Sequence, residues 1–282
     1  MSIIKDLIFN GRAVSSFGLQ VGDSSEWWTT PERDIEHISV PGRSGDLLID
    51  NGRFNNMELT FEINKIKSGA SIMSLTNFLA SVPGYHKLTI SDDTSHYRLA
   101  SFESMTQPTF GQMRRTGRVS ISFNCQPQRF VTEDEDGLQF GISEDLVEDF
   151  IVMGSFPSKP LFVFDNPTGT DDGIHYSRLS IDGLPNGSTA TRETFTFDIS
   201  GSTDMDKIAI DCENLEIYGI KDGKRQTIRP TVVDVEGGGE YFGDNRGFPV
   251  FRAEHTYFLR TYSSGSAELR ATGTIYPRRW VL

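Results

Sequence analysis

Pro41-Gly42-Arg43-Ser44-Gly45-Asp46-Leu47-Leu48-Ile49-Asp50-Asn51-Gly52-Arg53-Phe54 decides how the first half of the chain is read. An apolar run, Leu47 to Ile49, precedes Asn51-Gly52. Strict alternation follows, with Met57, Leu59, Phe61 and Ile63 set against Glu58, Thr60 and Glu62. Successive side chains of a strand point to opposite faces, so one face of this segment is apolar. Asn-Gly tolerates the positive φ values of a tight turn, and the pattern predicts a β-hairpin over 41–63 that turns there. Two placements stay open for it: an arm that reaches another subunit, or a hairpin paired within its own barrel. For an arm, Arg43, Asp46, Asp50 and Arg53 supply mixed charge, which suits fixing register across a contact more than driving it.

Working outward, residues 1–130 read as one β-rich unit with a helix. Asn10-Gly11 ends a first short strand in a turn. Ile72, Leu75, Leu79 and Val82 recur at helical spacing within Ser68–Val82, with Ser68 or Ser71 as N-cap and Pro83-Gly84 as the stop. Strands are predicted at Lys87–Ile90, Tyr97–Phe102 and Arg118–Asn124. From about Phe156 the chain is again β-like, with Pro160–Phe164, Phe195–Ile199, Ile208–Ile210, Leu215–Tyr218 and Tyr257–Leu259 as strand candidates. Turn signals recur at Asp182-Gly183, Asn186-Gly187, Asp222-Gly223 and Gly237-Gly238-Gly239, a rhythm that suggests a β-sandwich.

Charge divides the chain. Residues 1–130 carry 13 Lys/Arg and 13 Asp/Glu, so the net charge of −12 falls wholly on residues 131–282. Eight acids and no base lie in Val131–Phe150: Glu133, Asp134, Glu135, Asp136, Glu144, Asp145, Glu148 and Asp149. The stretch reads as a solvated acidic linker, because it lacks the spacing of a calcium loop. Nucleic-acid binding is not expected, since a phosphate-binding face needs clustered Lys and Arg. No apolar run reaches the ~18 residues of a membrane span, and no secretory leader is apparent.

Candidates for chemistry are thin. Gly42-Arg43-Ser44-Gly45 is not a G-x-S-x-G elbow and precedes an apolar strand instead of a helix. Gly219–Arg225 imitates a phosphate loop but is one residue short and lacks Ser or Thr after its Lys. Asp92, Asp93 and His96, and separately Asp171, Asp172 and His175, gather metal-ligand types. Both sets sit in turn-rich sequence, where Asp bonds nearby amides. Asp204, Asp206 and Asp211 lack the glycine of a calcium loop. Asn186-Gly187-Ser188 matches a glycosylation sequon but reads as a turn. Cys125 falls on an apolar strand face and reads as a buried free thiol, and Cys212 has no nearby partner in sequence. No catalytic, cofactor or metal site is therefore assigned. Trp27-Trp28 is read as a protein contact, since aromatics anchor interfaces; a sugar-stacking patch, or one buried and one partly covered ring, is the alternative.

The opening stretch also resembles, nearly residue for residue, the PGR-x-GDLLIDNGR segment of siphophage distal tail proteins, the ring-forming hubs at the tip of long non-contractile tails. Further similarities follow in chain order: Phe123–Phe130 to the closing strand of their ring domain, Phe156–Gly169 to the opening strand of their galectin-like domain, and Ile208–Gly219 to its Asp-containing strand pair. Phe248–Phe258 and Ile275–Leu282 are similar to their final motifs, with Ala253-Glu254-His255 and Arg279 departing from the usual residues. The resemblance implies an all-β protein. Its parts are an N-terminal β-barrel-like ring domain (1–130) with one helix and a hairpin arm, the acidic linker (131–150), and a C-terminal galectin-like β-sandwich (151–282). It also implies a non-enzymatic homohexamer at the virion tail tip, assembled in the host cytoplasm. Its partners are the tail tube protein, tail-associated hub or fibre proteins, and the tape-measure protein as a further neighbour. The alternative is a carbohydrate-binding protein acting in host recognition, with Trp280, Tyr218, Tyr241 and Tyr262 as aromatic platforms.

Overall fold

The computed structural model describes residues 6–22, 25–64, 69–106, 119–142, 148–152, 156–165, 176–185, 193–198, 205–228, 231–236, 248, 250–251, 255–263 and 271–282. These residues are mostly β, with one α-helix. The chain divides into two compact units, residues 1–132 with Leu282 and residues 133–281.

In the first unit the strands are β1 (Leu7–Phe9), β2 (Arg12–Ala13), β3 (Gln20–Val21), β4 (Arg33–Ile38), β5 (Leu47–Phe54), β6 (Met57–Asn64), β7 (His86–Ile90), β8 (Asp93–Met105) and β9 (Val119–Val131). They form a curled, half-barrel antiparallel sheet in the order β2-β1-β7-β8-β9-β6-β3, while β4 and β5 make a separate pair. Alternation explains the sheet. Val119, Ile121, Phe123 and Cys125 of β9 are buried, and Leu59, Phe61 and Ile63 of β6 stand opposite on the same face in the register Leu59–Phe123, Phe61–Ile121 and Ile63–Val119. Helix α1 (Gly69–Ala80) closes that face with Ile72, Leu75 and Leu79, the spacing seen in sequence. Phe9 lies between Phe123, 5.2 Å away, and Phe78 of the helix at 6.4 Å. Of the two expected caps, Ser71 lies inside the first turn and Ser68 falls outside the described residues. Cys125 is buried, and that burial pushes its thiol up to about 12, which leaves it unreactive.

The Asn51-Gly52 turn is corrected. β5 runs through both residues, and the β4–β5 connection is 39–46, where Gly42 (φ +81°) and Gly45 (φ +86°) supply the left-handed positions. Gly52, at φ +71°, marks a bulge: Ile35 faces Asp50 and Arg33 faces Phe54, so β5 carries two extra residues there. A glycine in the left-handed region serves a turn and a bulge equally, so the dipeptide alone could not choose between them. Asn10-Gly11 does turn, at φ +46° and +74°.

In the second unit the strands are β10 (Leu138–Ile142), β11 (Glu148–Val152), β12 (Leu161–Asp165), β13 (Tyr176–Pro185), β14 (Glu193–Asp198), β15 (Lys207–Asp211), β16 (Glu216–Lys221), β17 (Lys224–Thr227), β18 (Thr231–Glu236), β19 (His255–Ser263) and β20 (Ala271–Tyr276). They form two antiparallel sheets, β10-β20-β12-β15-β16-β17 and β11-β19-β13-β14-β18. Phe162 stands opposite both Ile210 and Ile275, and these buried side chains line one face of the first sheet. Phe140 folds over Gly273, where a Cβ would come within 2.5 Å of its ring. Asp222-Gly223 makes the β16–β17 turn, but Asp182-Gly183 lies within β13. Asn186-Gly187 and Gly237–Gly239 fall outside the described residues.

The acidic stretch 131–150 is not simply a solvated linker. It carries a 3-10 turn over Thr132–Glu135 and the strands β10 and β11, one in each sheet. The alternation Leu138, Phe140, Ile142 was the signal, outweighed in the sequence by the carboxylates around it. Asp134 is buried and accepts from Arg279 Nε at 2.8 Å and Nη2 at 2.6 Å. Beside it, Arg278 donates to the buried Asp211 at 2.7 and 3.3 Å, and Asn214 Nδ2 adds a bond of 2.9 Å. Burial alone would raise the Asp211 carboxyl, but the Arg278 and Asn214 hydrogen bonds outweigh it and hold it below the usual carboxylate range.

A carboxyl depressed in the folded state contributes stability above its unfolded value of about 3.9, and loses it as pH falls toward the folded value. Asp211→Asn strands Arg278, so it is expected to cost the second unit about 3 kcal/mol at pH 7. The gap between wild type and variant in chemical denaturation should narrow below about pH 4. A gap unchanged from pH 7 to pH 3 would show that the pair is not charged in the fold.

Candidate functional site

The pair β4–β5 projects the most exposed apolar surface of the first unit. β4 and β5 pair only with each other among the described residues, in the register Ile35–Asp50, Glu36–Ile49, His37–Leu48 and Ile38–Leu47. Opposed residues share a face and neighbours alternate, so the arm has two unlike faces. One presents Ile38, Leu47 and Ile49, exposed by 39%, 42% and 40%, with Glu36 and, nearer the root, Asp34 on the same face. The other presents Ile35, His37, Leu48 and Asp50, with Asp46 4.0 Å from His37.

The charges singled out in sequence fall on this arm and work mainly within it. Asp50 bonds Arg33 across the strands and accepts the Gly52 amide at 2.8 Å, which with Arg33 holds its carboxyl below the ordinary range despite some desolvation. Arg53 Nε donates to Asp34 at 2.6 Å. Water screens such exposed pairs, so they set register more than stability. Arg43 sits at the tip, where its amide donates to Val40 O at 3.2 Å and its side chain makes no ion pair among the described residues. Residues 57–63, expected in the same hairpin, belong to the half-barrel as β6. Strand β4 was not read from sequence. Its signal is the short run Ile35-Glu36-His37-Ile38 between Pro31 and Pro41.

Trp27 and Trp28 part at the root of the arm. Trp27 is fully buried and donates its indole N–H to Asp93 Oδ2 at 3.1 Å, which corrects its reading as a surface contact. Trp28 is 57% exposed, with the Arg129 guanidinium 5.1 Å over its ring. Behind Trp27 lies Arg98, fully buried. Its guanidinium donates to the carbonyls of Pro127 at 2.8 Å, Trp27 at 3.3 Å and Thr29 at 3.4 Å. Burial, with Arg129 nearby, lowers it to about 10, so it stays charged at neutral pH. This arginine fixes the backbone just before β4. The Asn55 amide, bonded to Glu32 O at 2.8 Å, closes the other side of the root. A lone arginine in a strand carries no sequence pattern that marks such a role.

The remaining candidates disperse. Asp93 and His96 meet at 2.9 Å, but the second oxygen of Asp93 holds Trp27. Among the described residues no group of three His, Cys, Asp or Glu side chains could hold a metal ion. Asp171, Asp172, His175 and Asp204 lie outside the described residues. Asp206 caps the Asp222 amide at 2.7 Å. Trp280 stacks on Phe156 at 4.4 Å and donates to Pro157 O, and Arg225 covers Tyr218 at 4.0 Å. Tyr241 is outside the described residues, and the Tyr262 side chain is not described. No described helix is long and apolar enough to cross a membrane.

No protein-family model matches the chain, and no curated protein matches its sequence. Among solved structures it is similar to the SPP1 Dit protein, described as a paradigm of the hub adsorption apparatus in phages infecting Gram-positive bacteria. The identity is 10% and the TM-score 0.59, over 96% of this chain and 98% of that one. It is also similar to chains of the phage P2 baseplate in its activated conformation, with Ca (8% identity, TM-score 0.46, 96% and 97% covered) and with Sr (8%, 0.44, 96% and 96%). The SPP1 likeness shows the fold: this chain has the fold of a phage tail hub protein along nearly its whole length.

Two substitutions test the root of the arm. Trp27→Ala should cost about 3–5 kcal/mol in denaturant unfolding, as for other buried large rings, whereas Trp28→Ala should stay within about 0.5 kcal/mol. Equal losses would refute the division between them. Arg98→Met leaves three carbonyls without their donor, and amide hydrogens across residues 33–54 should then exchange faster than in wild type; an arm whose exchange is unchanged does not depend on Arg98.

Proposed function

We propose that this protein is the distal tail hub of a long, non-contractile phage tail, a structural and non-enzymatic part that forms a homohexameric ring. The observation that carries the reading is the arm. A monomer gains nothing by holding Ile38, Val40, Leu47, Leu48 and Ile49 in water on a two-stranded arm, and such a patch marks a contact surface. A contact between unlike surfaces, repeated around a closing rotation, makes a ring. The fold shared with the SPP1 protein and the motif resemblances of the sequence support the same assignment.

In this reading the first unit forms the ring and continues the bore of the tail tube protein. The tail-associated hub or fibre proteins join the other side, and the tape-measure protein is a neighbour in the bore. The protein then resides at the virion tail tip after assembly in the host cytoplasm. The near-cancelling charge of residues 1–130 suits a part that stacks closely on other rings. The carbohydrate-binding alternative loses support from its aromatics, because the described platforms at Trp280 and Tyr218 are covered by their own neighbours.

Light scattering after size exclusion tests the ring. Six copies of 31.5 kDa give about 189 kDa, and negative-stain images of that species should show a central hole. A mass of 31.5 kDa at every concentration, with or without tail tube protein, would overturn the reading.

A further inference from the structure

The half-barrel carries a cavity of about 320 Å³ on the face opposite its core. Leu7 and Phe9 of β1 and Leu88 and Ile90 of β7 are buried, so Ile8, Lys87 and Thr89 between them point outward. These three line the cavity with Ser91, Thr94 and Thr132. The walls are rich in methyl groups, and Lys87 is the one charged residue of the lining, its ammonium 4.5 Å over the Tyr97 ring.

We propose that this cavity receives the arm of a second copy of the chain. The apolar face of the arm, Ile38, Leu47 and Ile49, seats against Ile8 and the threonine methyls, and Glu36 meets Lys87. Three observations select this occupant. The arm presents an exposed aliphatic face that nothing described covers. The cavity presents a concave, methyl-lined surface in the same unit. On the arm's face Arg53 already holds Asp34, which leaves Glu36 as the carboxylate without a described ion pair, opposite in sign to Lys87; that complementarity fixes the register of docking. A small anion would need several converging donors, and the lining offers a single cation. A sugar would need an aromatic platform, and no aromatic residue lines the cavity. Donor and acceptor surfaces are distinct parts of one unit, so the contact is head-to-tail and can close into a ring. This inference rests on the ring reading and names the acceptor surface that reading lacks.

Charge exchange on the full chain tests it. Glu36→Lys and Lys87→Glu, each checked for an unchanged melting transition, should each weaken assembly roughly tenfold or more, read as the midpoint concentration in light scattering. The double variant Glu36→Lys with Lys87→Glu should recover assembly to within about threefold of wild type, as expected of residues in direct contact. Single reversals that assemble like wild type overturn the docking and leave the ring standing, as does a double variant no better than its worse parent. Wild-type protein that never assembles overturns the ring and the docking together.

Discussion

A guanidinium buried without a carboxylate in its grip is the constraint on which the first unit depends. Arg98 is fully buried and bonds only backbone carbonyls, at Pro127, Trp27 and Thr29. Removing such a charge from water costs several kcal/mol; Nη1 and Nη2 offset part of it through these bonds, while Nε has no partner among the described residues. A planar fork of N–H groups meets several fixed carbonyls at once, which a lysine ammonium on a flexible stem does less well. Asp93 adds compensating charge nearby while holding Trp27 through its indole. The result ties the segment before β4 to the far end of β9. The buried Trp27, bonded to Asp93, anchors the same segment from the other side.

Much of the fold was legible because burial obeys simple periods. β9 alternates buried and half-buried residues over most of its length, and Ile72, Leu75 and Leu79 lie at helical spacing; both patterns stood in the sequence. Failures came where one local signal fits two structures. Gly52 could turn a hairpin or bulge a strand, and the choice fell to Gly42 and Gly45, which supply a turn elsewhere. Charge misled in the other direction. Residues 133–136 look solvated, yet Asp134 is buried because Arg279, 145 residues away, reaches it. The arm charges were found, but their partners, Arg33 and Asp34, lie on a strand whose short pattern was overlooked. Arg98 had no pattern at all, since its role comes from three carbonyls that only the fold brings together.

Position 279 carries a clamp that no local sequence pattern announces. An aromatic there would bury apolar area, whereas Arg279 supplies donors to Asp134, and Arg278 does the same for Asp211. Adjacent arginines thus hold two carboxylates, one from the start of the second unit and one from near its middle in sequence. The acidity of residues 131–282 is therefore partly structural: Asp134 and Asp211 are the acceptors of the unit's own clamps.

A free two-stranded arm is an aggregation hazard, since both outer edges offer unpaired amides and carbonyls to any strand. This arm contains that risk in three ways. The bulge at Gly52 breaks the regular ladder near its root. The pairs Arg33–Asp50 and Arg53–Asp34 place charge along the strands, and strand pairing with a wrong partner would have to disrupt or desolvate it. Ile38, Leu47 and Ile49 share one face while Ile35 and Leu48 lie on the other, so docking by the first face buries those three without recruiting the edges into an open-ended sheet. Docking by a face ends when the face is covered, whereas docking by an edge exposes a new edge each time. A part that must stop at a fixed number of copies has reason to prefer the first, and the exposed Ile38, Leu47 and Ile49 give this arm a face to dock by.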